Sequence, residues 1–119
     1  MGKRIIIYDD DTDILLVTSV ILQRKGYEVV CRENCNSLYA DLEGFQPQII
    51  LMDNWMPDMS GVEAIQKIKA KEAFKQIPVI FFSANSNVEE LAREAGADSL
   101  LKKPFDIKAL QEMIEQLVD

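Results

Sequence analysis

Five short runs constrain this chain most: "RIIIY" (4–8), "YEVV" (27–30), "QIILM" (48–52), "PVIFF" (78–82) and "SLLK" (99–102), set some 20 to 30 residues apart. They are rich in β-branched and aromatic residues, and their apolar positions are mostly continuous rather than alternating. A strand with one wet face alternates. A continuous run fits a strand covered on both faces, as in a parallel sheet flanked by helices. Helical spacing fills the intervals. Ile14, Val17 and Ile21 share a face in a helix stopped at Gly26. Leu38, Leu42 and Phe45 mark a second helix, ended by Gly44 and Pro47. Val62, Ile65 and Ile68 mark a third. Val88, Leu91, Ala92 and Ala95 mark a fourth that ends at Gly96, and Ile107, Leu110, Ile114 and Leu117 a fifth. Strand then helix, five times over, predicts an α/β fold: a doubly wound, five-stranded parallel sheet of (βα)5 type. With 119 residues and no linker, low-complexity tract or internal repeat, residues 1–119 are expected to form a single domain.

In open sheets of this kind ligands bind beyond the carboxyl ends of the strands. Asp9, Asp10 and Asp11 follow the first run, Asp53 the third, Ser83 the fourth and Lys103 the fifth. The topology therefore gathers acids, a hydroxyl and an ammonium at one sheet edge. Asp9, Asp10, Asp11 and Asp13 crowd together, and two carboxylates at ~4 Å repel by ~1 kcal/mol even in water. Asp11 and Asp13 suit a helix N-terminus, as cap and as partner of the helix dipole. That leaves Asp9 and Asp10, which abut a buried strand, without an explanation. A divalent cation supplies one. Hard oxygen ligands suit Mg2+, which keeps several waters and uses few carboxylates. A carboxylate beside bound Mg2+ can attack a phosphoryl group, with metal and lysine stabilising the transferring charge and a hydroxyl bonding its oxygens.

Composition narrows the alternatives. The net charge is −7 and the sequence pI about 4.6, against a nucleic-acid footprint and in keeping with cation binding. Cys31 and Cys35 lack a second pair and are expected as free thiols in a reducing compartment. There is no histidine, which removes His-dependent nucleophilic catalysis, His-ligated zinc and any phosphohistidine donor from these residues. No apolar run approaches the ~20 residues that span a bilayer. The start, "MGKRIIIYDD", is no signal peptide, so a cytoplasmic protein is expected.

The acidic pair after the first strand, "LMDNWMPDMSG", "PVIFFSAN" and "GADSLLKKPF" together resemble the receiver domain of two-component response regulators, over essentially the whole chain. The resemblance implies the flavodoxin-like strand order 2-1-3-4-5. It makes Asp53 the phosphoacceptor, Asp10 a direct Mg2+ ligand, Asp9 a ligand through water and the Trp55 backbone carbonyl a further ligand. Ser83 becomes the switch hydroxyl and Lys103 the ion-pair partner of the phosphoryl group. The Lys103–Pro104 bond is expected to be cis, and Pro57 and Gly61 to shape the turn after Asp53. The implied donor is a sensor histidine kinase or a phosphotransfer protein. The implied output is an unknown effector reached through the fourth helix, fifth strand and fifth helix, with Glu89, Glu90, Arg93, Glu94, Lys108, Glu112 and Glu115 as charged contacts. A phosphorylation-dependent homodimer is one such output; direct nucleic-acid or membrane binding by the domain is not expected.

Two departures stand out. Leu100 occupies the place of an aromatic residue that rotates inward on activation in the family, and Ser83 replaces the commoner Thr. Trp55 and Asn85 occupy places that tune dephosphorylation, where so large a ring is expected to restrict water. Two rival readings fit some of the same residues. "IIIYDDDTD" also offers the Asp-x-Asp of a haloacid-dehalogenase-like phosphatase, with Asp9 as nucleophile, although the Gly expected before Thr12 is missing. A pseudo-receiver that is never phosphorylated would share the fold.

Overall fold

A computed structural model describes residues 3–118. Five strands alternate with five helices: β1 Arg4–Tyr8, α1 Thr12–Arg24, β2 Glu28–Arg32, α2 Leu38–Phe45, β3 Ile49–Asp53, α3 Gly61–Ala70, β4 Val79–Ser83, α4 Val88–Ala95, β5 Ser99–Lys102 and α5 Ile107–Val118. The strands form one sheet, ordered β2-β1-β3-β4-β5, with every neighbouring pair parallel. This is the architecture expected from the strand-helix alternation.

Alternate residues of each central strand enter different cores. Ile6, Tyr8, Ile50, Met52, Val79 and Phe81 pack beneath α2, α3 and α4, with Leu38, Leu42, Ile65, Ile68 and Ala92. Ile5, Ile7, Ile49, Leu51, Ile80 and Phe82 pack against α1 and α5, with Leu15, Leu22, Leu110 and Ile114. Both pleats are dry, which is why the central runs are continuously apolar. β3 and β4 are buried throughout and β1 is buried except at Arg4, whereas the edge strands β2 and β5 keep part-exposed or exposed residues at every position.

The boundaries differ from the sequence expectation in instructive places. β2 begins at Glu28 and continues to Arg32, because it pairs with β1 from Arg4↔Glu28 to Tyr8↔Arg32. An edge strand tolerates such polar ends, so its hydropathy under-reports its length. The buried face of α1 is Leu15, Thr18 and Leu22, whereas Val17 is 52% exposed and Ile14 and Ile21 are half-buried. "ILLVTSVIL" is apolar nearly all round, so spacing could not choose its face; packing on the sheet did. Gly44 lies inside α2, whose end is Gln46 in the left-handed region (φ 52°), its amide donating to the Leu42 carbonyl. Gly96 ends α4 as expected, at φ 85°.

Candidate functional site

Because β1, β3, β4 and β5 are consecutive neighbours, their carboxyl ends form one ledge. Asp9 follows β1 directly, Asp53 and Ser83 are the last residues of β3 and β4, and Lys103 follows β5. The buried strands carry these polar groups to the edge of the core: Asp9 and Ser83 are fully buried and Asp53 is 3% exposed.

Among the described residues, each buried side-chain nitrogen and oxygen has a partner. The Lys103 ammonium reaches both acids, with Nζ 2.8 Å from Asp9 Oδ2 and 2.9 Å from Asp53 Oδ1. The other Asp9 oxygen accepts the Asp11 amide at 2.9 Å, and Asp53 Oδ2 accepts the Trp55 amide at 3.1 Å. Ser83 Oγ accepts the Asn85 amide at 3.1 Å. The Lys103 amide donates to the Ser83 carbonyl, tying the ends of β4 and β5 together, and the Lys103–Pro104 bond is cis, as expected. Lys103 Nζ lies 5.1 Å from the centroid of the Phe82 ring, which Phe105 supports edge-on. That apolar wall shields the ion pairs from water.

Asp10 is exposed, yet it completes the acidic group: carboxylate oxygens of Asp9, Asp10 and Asp53 all lie within 4.8 Å of one another. Asp11 turns away to cap α1, accepting the amides of Asp13 and Ile14, so the capping interpretation of Asp11 holds. Three carboxylates against one ammonium leave the ledge net negative. Burial pushes the Asp53 carboxyl up to about 6; the Lys103 hydrogen bond pulls it down, while the charges of Asp9 and Asp10 push it further up. Burial would lower Lys103, but the two carboxylates outweigh it and hold the ammonium above its usual range. The donor set fits a hard divalent cation: all carboxylate oxygen, negatively charged and open to solvent at Asp10.

Gly61 bears on the loop after Asp53 through close backbone packing. It is the first residue of α3, and a Cβ there would collide with the backbone carbonyl of Asp53. Its absent side chain lets α3 abut the end of β3 and lock the Asp53 loop. Asn54, which the sequence did not single out, closes the same loop: its carbonyl accepts the Gly61 amide at 2.9 Å and its side chain the Val62 amide at 3.4 Å. A buried Asn beside the acceptor, ahead of a helix-opening Gly, was the available signal. Phe82 was missed for another reason. Within a run of core residues nothing marks the one beneath an ammonium.

The family model for the response regulator receiver domain matches residues 5–115. The chain belongs to this family. Over 112 residues this receiver domain is 33% identical to the phosphate regulon transcriptional regulatory protein PhoB of Pseudomonas aeruginosa, covering 92% of the chain and 49% of that protein. It thus spans about half the length of the curated relatives it matches, 49% and 52% for two PhoB proteins. A CheY-like receiver domain protein from Methanospirillum hungatei is 32% identical and superposes with a TM-score of 0.90, covering 100% of this chain and 95% of that one. The receiver domain of a sensor histidine kinase from P. aeruginosa, solved with a magnesium ion coordinated in its active site cleft, is 27% identical with a TM-score of 0.90, covering 99% and 98%. Within this receiver domain Leu100 is half-buried and packs against the α2–α3–α4 core, so a compact aliphatic side chain fills that site. Among the described residues, no helix is long and apolar enough to cross a membrane.

Proposed function

We propose that this receiver is a phosphorylation-driven switch in which Asp53 accepts the phosphoryl group. What carries the reading is one arrangement: Lys103 bridges Asp53 and Asp9 at 2.9 and 2.8 Å beside a third carboxylate, at the mouth of an otherwise apolar sheet. Asp9, Asp10, Asp53 and the Trp55 carbonyl would hold Mg2+, which when bound supplies charge neutralisation for the incoming phosphoryl oxygens. The Asp53 carboxylate attacks phosphorus, its new O–P bond replacing the bond to the donor's leaving group. Lys103 then moves its attraction from the carboxylate to the phosphoryl oxygens, and Ser83 donates its hydroxyl proton to one of them. That is a hydrogen bond in which Ser83 keeps its proton, so no group in the pocket needs to change protonation.

The 119 residues hold no histidine, so a phosphohistidine donor lies outside them: a sensor histidine kinase or a phosphotransfer protein. The phosphoryl group carries roughly −1.5 to −2, in place of the single charge of the Asp53 carboxylate, and its three oxygens draw Ser83 and Lys103 together and bias α4, β5 and α5 toward a second packing. An effector, an attached output domain or a second copy reads that face, and the cytoplasm is the fitting compartment. The test is chemical. Incubation with Mg2+ and acetyl phosphate, borohydride trapping and peptide mass spectrometry should label Asp53, with no label in EDTA or in Asp53→Asn. Label at Asp9 with steady phosphate release would establish a phosphatase instead. A complete absence of label would leave a pseudo-receiver.

A further inference from the structure

A path of three hydrogen bonds joins the acceptor to the switch hydroxyl across the mouth of the site. The Trp55 amide donates to Asp53 Oδ2 at 3.1 Å, Trp55 Nε1 donates to Asn85 Oδ1 at 2.9 Å, and the Asn85 amide donates to Ser83 Oγ at 3.1 Å. Trp55 and Asn85 are thus each anchored by the functional side chain two residues before them, and their own side chains bond each other. We propose that the Trp55–Asn85 hydrogen bond is a clasp that holds the receiver in its resting arrangement and parts when Ser83 turns toward a phosphoryl group on Asp53. The proposal rests on the phosphoacceptor reading above.

Both anchors weaken in the same event. Ser83 Oγ accepts the Asn85 amide at 3.1 Å, so a turn of the Ser83 side chain toward a group on Asp53 loosens that bond. Asn85 and its Oδ1 move with it. At the other end, esterifying a carboxylate oxygen of Asp53 removes the negative charge that made it a strong acceptor for the Trp55 amide. The indole has little else to keep it in place: it is 64% exposed and belongs to neither core cluster. A neutral hydrogen bond this accessible contributes modestly, enough to bias a two-state equilibrium without blocking it. The clasp also places the consequence on the surface, where a large aromatic ring is freed at the rim as the pocket fills.

The test uses the full chain at saturating Mg2+, with beryllofluoride as the phosphoryl mimic and fluorine NMR to count the bound form. Trp55→Phe keeps ring and backbone carbonyl but removes the donor; Asn85→Ala removes the acceptor. Each should lower the beryllofluoride midpoint by roughly three- to tenfold, the size of one neutral hydrogen bond. The double variant should gain no more than either single one, because the same bond is lost. Trp55 is the only tryptophan, so its fluorescence is a second readout: Asn85→Ala without mimic should already match the wild type with it. Unchanged midpoints, or effects that add, would overturn the clasp while leaving the phosphoacceptor reading intact. A wild type that neither binds beryllofluoride nor takes label at Asp53 would overturn both.

Discussion

A lysine meets aspartate at each end of the sheet, Lys69 from α3 at the amino ends of β4 and β5 and Lys103 at the carboxyl ends of β1 and β3, and the two ends behave differently. At the amino end, Lys69 Nζ donates to Asp98 Oδ2 at 2.8 Å and to the carbonyls of Ile77 and Lys75 at 2.9 and 3.2 Å. Asp98 Oδ2 also accepts the Val79 amide at 2.8 Å. One cation meets one anion, and the remaining ammonium protons find carbonyls. At the carboxyl end one ammonium pairs with two buried carboxylates, and a third, exposed carboxylate stands beside them. The first arrangement is satisfied and ties α3 to the sheet. The second keeps excess negative charge against an apolar wall, a cost that a cation or a phosphoryl group is placed to relieve. Equal residue types separate into structure and site by their charge balance.

Breaking one end at a time should separate the two roles. Asp53→Asn should abolish acyl-phosphate labelling and Lys103→Met should cut it severely, while Lys69→Met leaves the label at Asp53 in place, as counted by trapped peptide. Stability should run the other way. Lys69→Met should cost about 1–2 kcal/mol in urea unfolding, by stripping partners from Asp98 and two carbonyls, with the same loss in Mg2+ or EDTA.

Asp53→Asn should instead stabilise the metal-free protein. Burial pushes the Asp53 carboxyl up to about 6 in the folded chain, from about 3.9 for an unperturbed aspartate, so its ionised form opposes folding above that range. As pH falls through 6 toward 4 the folded state takes up the proton first, and this contribution raises stability. By pH 5 the gain is about 1 kcal/mol relative to pH 7.5. Unfolding curves in EDTA at both values should show that gain in the wild type and its absence in Asp53→Asn; a wild type that loses more stability than the variant on acidification would contradict the charge-excess account. The smallest effect expected is a rise in melting temperature of a few degrees on adding Mg2+. It should vanish in Asp10→Asn combined with Asp53→Asn, measured by differential scanning fluorimetry.

Much of this was legible in the chain. The continuous apolar runs announced strands covered on both faces, and the positions just after them announced where polar chemistry would gather. Asp9, Asp53, Ser83 and Lys103 could be singled out because each ends or follows such a run. The face of α1 was not legible, since a helix apolar nearly all round carries no phase of its own. Neither were the role of Gly61, which depends on a carbonyl eight residues earlier in the chain but touching in space, and the place of Phe82 beneath Lys103.

The sequence by itself determined the alternation of strand and helix, the acidic surplus and the residues that close each strand, because these follow from local periodicity and composition. The cap at Asp11 was legible in the spacing as well; only the tertiary structure decided which of the clustered aspartates faces Lys103. Asp9 and Asp11 are two residues apart, yet one is buried in an ion pair and the other is bonded to amides in water. That choice belongs to the packing of β5 beside β4, which carries an ammonium 94 residues distant in the chain to within 2.8 Å of one carboxylate and not the other.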